Sequence, residues 1–300
     1  MWRRISSIVM ALIVIAVSGI LCFAACPRAD LTGDCRVDFN DFAVMASEWL
    51  TEGIPVPQGM VWVYIDDPGV PGHEGFHGYM SKYETTNAQY CEYLNAALAS
   101  GDIIVAGSDV KGANGSNSGE DFVGQVYYDL AGPGATYNGA TNGGAARINW
   151  TGSSFTVDSG FENHPVTYVS WYGSTAFCDY YGWRLPSEWE WQAVADFHGS
   201  YTYACGTSTN NSIANYRNST HPHGTTEVGA FGAYGYGLCD MAGNVYEWME
   251  NWYSEAETTR CLRGGSWPYG DSNLRCSYRL SVDPGDRSSL IGFRVVFSQS

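Results

Sequence analysis

Residues 237–248 read Gly237-Leu238-Cys239-Asp240-Met241-Ala242-Gly243-Asn244-Val245-Tyr246-Glu247-Trp248. The stretch joins glycines and small residues to an aromatic-acid-aromatic end. The same mixture runs through the whole chain, which has 36 Gly, 11 Pro, 11 Trp and 21 Tyr in 300 residues. Many glycines with many aromatics indicate a loop-rich domain held together by large rings rather than by long helices.

Working outward, two further motifs follow, Arg263-Gly264-Gly265-Ser266-Trp267 and Gly292-Phe293-Arg294-Val295-Val296. Upstream, Asn163-His164-Pro165-Val166-Thr167-Tyr168-Val169-Ser170-Trp171 leads into a helix running through Cys178 to Tyr181. It is followed by Gly182-Trp183-Arg184-Leu185-Pro186-Ser187-Glu188-Trp189-Glu190-Trp191. Ser187 caps the next helix, and Glu190 three residues on completes a capping box. Arg184, Glu188 and Trp189 read as core scaffolding, a buried Arg–Glu network among aromatics.

This ordered series resembles the formylglycine-generating enzyme family, also called the sulfatase-modifying factor domain, over residues 59–298. The resemblance implies an α+β fold, the formylglycine-generating-enzyme variant of the C-type lectin fold: a loop-rich mixed sheet with two main helices. It also implies a Ca²⁺ site with carboxylates from Asp240 and Glu247 and carbonyls from Gly243 and Val245, an oxygen set that suits a hard cation. The structural alternative is that Asn244 and Glu247 satisfy buried backbone groups. A second implied calcium site starts at the Asn215 side chain and the Tyr216 carbonyl.

Family enzymes oxidise a sulfatase cysteine to formylglycine with O₂, using two cysteines just after the Gly-Gly-Ser that bind Cu(I), a metal suited to soft thiolates. Here Tyr269 stands where the first of these would fall, and Trp267 to Arg275 contains no cysteine. Cys276 aligns with a downstream structural cysteine, followed by Arg279. Cys261 lies before the Gly-Gly and reads as a disulfide partner or a buried thiol. Two functions are therefore weighed. One is a non-oxidising binding or accessory module, with a pocket of Ser266, Trp267, Tyr269, Trp252 and Tyr253 for a peptide, protein or glycan ligand. The other is an oxidase with a rearranged copper site on Cys261 and Cys276.

The remaining stretches frame this domain. Residues 60–65 and 79–83 read as short strands. Thr86 to Leu98 reads as a capped amphipathic helix with Tyr90, Leu94 and Ala97 on one face. Residues 101–160 read as an elaborated loop with hairpins at 126–130 and 155–157. His73 and His77, and likewise His221 and His223, read as exposed loop histidines; a metal role for either pair is the competing reading. Thr51 to Gln58 is a Pro-rich connector with a domain boundary at 52–58.

Before it, residues 30–41 place oxygen-bearing side chains at loop positions 1, 3, 5, 9 and 12, namely Asp30, Thr32, Asp34, Asp38 and Asp41, with the Arg36 carbonyl at position 7. A helix with Phe42, Met45, Trp49 and Leu50 follows. Residues 26–51 resemble one repeat of a dockerin, an EF-hand-like calcium module. Cys35 occupies the turn position where glycine is usual, and the competing reading is an Asx-rich turn that caps the helix without an ion.

Arg3 and Arg4 precede an apolar run ending near Ala24-Ala25, so residues 1–25 read as a secretory signal. Lipidation at Cys26 and an uncleaved anchor remain open. All three place the body outside the cytoplasm, as a secreted, periplasmic or cell-envelope protein, with membrane contact only through this segment. An oxidising compartment favours disulfides among the eight cysteines that follow Cys22. The net charge of −16 excludes a phosphate-neutralising nucleic-acid binder.

Overall fold

The computed structural model describes residues 56–113, 122–133, 135–137, 140–143, 145–217 and 224–297. All belong to one unit of the chain, Ser47–Ser300. The N-terminal signal and the acidic loop with Asp30, Thr32, Asp34, Arg36, Asp38 and Asp41 lie outside the described residues, as do Cys26, Cys35, His221 and His223.

The helices form where the caps predict. Thr86 holds extended backbone and accepts the Gln89 N–H, while Gln89 reaches back to the Thr86 N–H, opening α1 (Asn87–Ser100). Gly101 ends it in the left-handed conformation (φ 82°). Ser170 caps α2 (Trp171–Tyr181), and the expected Ser187–Glu190 capping box opens α3 (Glu188–Asp196). Among the described residues there are thus three helices rather than two main ones, and none is long and apolar enough to cross a membrane.

Between them run short strands. β1 (Trp62–Asp67) pairs antiparallel with β2 (Phe76–Ser81), from Trp62 opposite Ser81 to Asp67 opposite Phe76. β3 (Ile103–Ala106), β4 (Asp109–Gly112) and β5 (Val126–Asp129) form a second sheet. Hairpins β6–β7 (Ala135–Tyr137, Ala140–Gly143) and β8–β9 (Ile148–Trp150, Phe155–Val157) follow, then the pair β10 (Ala233–Tyr234) and β11 (Leu238–Cys239). The central sheet has the order β14-β13-β12-β15, built from β12 (Tyr246–Trp252), β13 (Arg260–Arg263), β14 (Leu280–Val282) and β15 (Ile291–Gly292). The last strand, β16 (Val296–Phe297), returns to β2, so the C-terminal end of the domain closes on its first hairpin.

β12 organises the interior. Side chains alternate across a strand, and both faces here are buried. Tyr246 and Trp248 enter one core with α1, α2 and Phe293, whereas Met249 enters a second with Trp191, Val194 and Leu238. The large rings fill the first core: Phe177 touches Tyr90, Tyr93, Tyr181, Trp183 and Phe293 at centroid distances of 5.0–6.0 Å.

The structure revises three expectations. The six described cysteines, Cys91, Cys178, Cys205, Cys239, Cys261 and Cys276, are free and buried, not bridged; they pack as small apolar groups. The Arg–Glu network has different partners: Arg184 forks onto Glu190 (2.7 and 2.6 Å), Glu188 is held by Arg279 (2.5 and 2.7 Å), and Trp189 is 41% exposed. His77 is exposed as expected, but the His73 side chain is only 3% exposed.

Candidate functional site

The segment between β11 and β12 bends through three left-handed positions, Asp240 (φ 59°), Gly243 (φ 86°) and Asn244 (φ 59°). Gly243 is required there, because a Cβ would overlap the Asn215 carbonyl. The Asn244 N–H donates to that same carbonyl (2.9 Å), and the Gly243 N–H donates to the Gly264 carbonyl (2.9 Å). Asn244 also acts as a hub through its side chain. Its Oδ1 accepts from the Thr226 N–H (2.9 Å) and Asn215 Nδ2 (3.3 Å), and its Nδ2 donates to Glu84 (2.6 Å). The reading of Asn244 as a partner for buried backbone groups therefore holds.

Glu247, the second residue of β12, is wholly buried. Arg294 forks onto it (2.8 and 2.7 Å), and Trp191 Nε1 donates to it (2.7 Å). The remaining Arg294 donors reach the carbonyls of Ser81 (3.1 Å), Lys82 (3.3 Å) and Cys239 (2.9 Å). Burial pushes the Glu84 carboxyl well above its ordinary range, with Asp240 and Glu247 adding to the effect. Burial likewise lifts Asp240 to about 6, although it accepts the Gly229 N–H at 2.5 Å. Sequence reading missed Glu84, which lies in no motif. Arg294 was visible only as part of Gly292-Phe293-Arg294.

For a hard cation the donors divide. Asn215 Oδ1 is buried with no hydrogen-bond partner, next to the buried Tyr216, and an unsatisfied oxygen of that kind fits a cation. Glu247 fits poorly, because three donors already hold its oxygens. Among the described residues no group of three or more His, Cys, Asp or Glu side chains has metal-holding geometry.

The Gly264–Tyr269 turn lies beside this segment. Gly264 (φ 91°) and Gly265 (φ 82°) carry the chain under the Asn244 loop, where the Trp267 N–H and Ser266 hydroxyl both donate to the Asn244 carbonyl (2.9 and 3.2 Å). Ser266 and Trp267 are wholly buried, and the Trp267 indole N–H donates to Ser289 (3.3 Å). They form the floor of the region, and Tyr269 alone of the three reaches solvent, 39% exposed and tilted against Tyr246 at 5.8 Å. The Tyr269 carbonyl accepts from Arg217 N–H (2.9 Å), whose backbone is left-handed (φ 53°) and whose side chain pairs with Asp271 (2.7 Å). Trp252 and Tyr253 belong elsewhere. Trp252 ends β12, six residues and roughly 20 Å at strand rise from Tyr246, Tyr253 follows it, and the two stack on Arg260 and Arg279 respectively.

The two candidate thiols are both protonated. Cys261 Sγ lies 3.3 Å from Glu188 Oε2, and burial together with that carboxylate pushes it up to about 12. Cys276 is pushed up to about 12 by burial and Asp196, with Cys205 adding. The Arg263 cation opposes both shifts without reversing them. The Glu188 carboxylate beside the buried Cys261 opposes formation of the thiolate that Cu(I) binding needs.

A family model described as "Sulfatase-modifying factor enzyme 1-like domain" matches residues 54–299. The chain belongs to the sulfatase-modifying factor family. One relative is the "Serine/threonine-protein kinase pkn1" of Chlamydia caviae, 38% identical over 50% of this chain but only 26% of that relative. The chain thus spans about a quarter of the length of that relative. The "Formylglycine-generating enzyme" of Mus musculus is 25% identical over 82% of this chain and 74% of its own length. The "Inactive C-alpha-formylglycine-generating enzyme 2" of Bos taurus is 34% identical over 43% and 49%. Among solved structures, "Crystal Structure of CarF" aligns with a TM-score of 0.56 at 21% identity, covering 82% of this chain and all of that one. Sulfatase-modifying factor membership and the lectin-like α+β fold thus agree with the reading of the motifs.

Proposed function

We propose that this protein is a non-oxidising member of the sulfatase-modifying factor family, a binding or accessory module that works outside the cytoplasm. One observation carries the reading. The segment after the Gly-Gly-Ser presents Tyr269 to solvent, while Cys261 and Cys276 are buried, protonated thiols with different immediate neighbours. Phenol cannot supply the thiolate that copper oxidation needs. An inactive relative within the family makes such a loss of chemistry reasonable. Tyr269, resting on Tyr246 beside Arg217, is the ligand-contact candidate, since a flat aromatic offers contact area at low entropic cost. A peptide, a protein loop or a glycan is the class of ligand it suits.

Calcium belongs to this proposal as a structural ion. The Asn215 side chain and Tyr216 carbonyl would hold it, and its role would be to tie residues 215–217 to the Asn244 loop. Asp240, Gly243 and Val245 are the donors for a second ion, with Glu247 reserved for Arg294. The acidic loop at Asp30–Asp41 is proposed as a separate calcium module.

The test is a conversion assay on the full chain, reduced and loaded with Cu(I), with a Cys-x-Pro-x-Arg sulfatase peptide in air. Mass spectrometry should find no aldehyde. Conversion that vanishes in Cys276→Ser would overturn the reading in favour of a rearranged copper site.

A further inference from the structure

Away from Tyr269, ionisable side chains gather where β1 leaves its sheet and α3 ends. β1 finishes at Asp66-Asp67, residues 68–75 loop back to β2, and α3 finishes at Asp196. His73, on that loop, sits against the α3 end with its side chain only 3% exposed. Its Nε2 lies 2.6 Å from Asp196 Oδ2, and its Nδ1 lies 2.8 Å from the Glu74 carbonyl oxygen.

Carbonyl and carboxylate oxygens only accept, and a neutral imidazole has a single N–H. Both bonds are made together when the ring carries both protons. A carboxyl is the stronger acid of the two by more than two pKa units in water, so the shared proton resides on the ring. We propose that His73 is a buried imidazolium latch, whose positive charge against Asp196 ties residues 68–75 to the C-terminal turn of α3 and whose neutralisation weakens that tie and loosens the loop.

The loop is built to move as one piece. Val70 and His73 exchange backbone hydrogen bonds (3.3 and 3.2 Å) across Pro71-Gly72, and Val70 lies over Gly199, just past α3. Withdrawing His73 therefore lifts Val70 from Gly199.

The charges around the ring set the direction. Asp196 comes from α3 and also accepts the Gly199 N–H (3.0 Å). From β1 comes Asp67, wholly buried, which accepts from Gly69 N–H (2.6 Å) and the Tyr236 hydroxyl (2.7 Å). His198 stands 3.5 Å from Asp67 and 3.1 Å from the Tyr236 oxygen. Glu74 is the neighbour in sequence, and Asp66 is engaged by the exposed His77. Burial alone would lower the His73 pKa, but the Glu74 carbonyl, Asp196 and Asp67 outweigh it and the net direction is up. The latch is therefore fully closed below about 6.5, the ordinary histidine value, and opens as pH rises through the elevated folded value.

The experiment combines ¹⁵N NMR of the histidine rings with hydrogen exchange read by mass spectrometry, on the full chain across pH 5.5–9.5. Both His73 nitrogens should carry protons at the acid end of the range, and the His73 midpoint should lie above the ordinary 6.5. Between about 6.5 and the His73 midpoint the opening of residues 68–75, corrected for intrinsic exchange, should rise by up to about tenfold per pH unit, the slope of one bound proton, and level off above that midpoint, while β12 stays protected. In His73→Gln the loop should sit near the high-pH wild-type level at every pH. A His73 that titrates at or below 6.5, or loop opening with no pH dependence, would overturn the latch. If the variant does not fold, the wild-type titration and exchange decide alone.

Discussion

At the residue scale, the buried Arg294–Glu247 pair is held by saturation rather than by strength of any one contact. Arg294 places every donor it has, and Glu247 receives three. Removing one member leaves the other charged in an apolar interior, which costs about 3–5 kcal/mol. Glu247→Gln should lower the urea-unfolding free energy by that amount, and a paired replacement of both residues by apolar side chains should cost less. The Arg184–Glu190 fork gives a pH signature. Burial tends to raise Glu190, but Arg184 and the Ser187 cap outweigh it and hold it below the ordinary 4.5. Its stabilisation is thus fully present above 4.5 and fades as pH falls through the lower folded value. Glu190→Gln should flatten that part of the stability curve and leave the alkaline side, where His73 acts, unchanged.

At the element scale, local signals were legible and long-range ones were not. Thr86, Ser170 and Ser187 mark their helix starts because a cap is a contact within three residues. β1 runs two residues later than its apolar pattern indicates, since its register is set by pairing with β2. The Ser187–Glu190 box could be read from sequence, but the contacts of Arg184 with Glu250 and of Glu188 with Arg279 could not, because Glu250 comes from β12 and Arg279 from the chain just before β14. His73 was misplaced for the same reason: nothing near it in sequence announces Asp196. Ser187→Ala should cost about 1 kcal/mol of unfolding free energy. Gly243→Ala combines a forbidden backbone with overlap on the Asn215 carbonyl. It should cost more than about 1 kcal/mol and should weaken any calcium protection against heating, readable as a smaller Tm shift on adding the ion.

At the scale of the whole molecule, the site and the fold share the same parts. The Asn244 loop is pinned by Glu84 after β2, Asn215 and Thr226 from irregular chain, and Gly264 after β13. No element can leave without disturbing the others, and the described cysteines report on that coupling because Cys91 and Cys178 lie in one core and Cys205, Cys261 and Cys276 in the other. Burial raises all six thiols, Cys91 and Cys239 to about 11 and Cys261 and Cys276 to about 12. A thiolate is the reactive species, so at pH 8 the folded domain offers almost none, and alkylation waits on opening. Mass-resolved iodoacetamide labelling of the reduced chain should modify these six together, at a rate that follows urea through the same transition as tryptophan fluorescence. Early modification of Cys261 and Cys276 alone, in the absence of urea, would reveal an accessible thiol pair beside the Gly-Gly-Ser turn. That outcome would restore the copper reading that the buried sulfurs argue against.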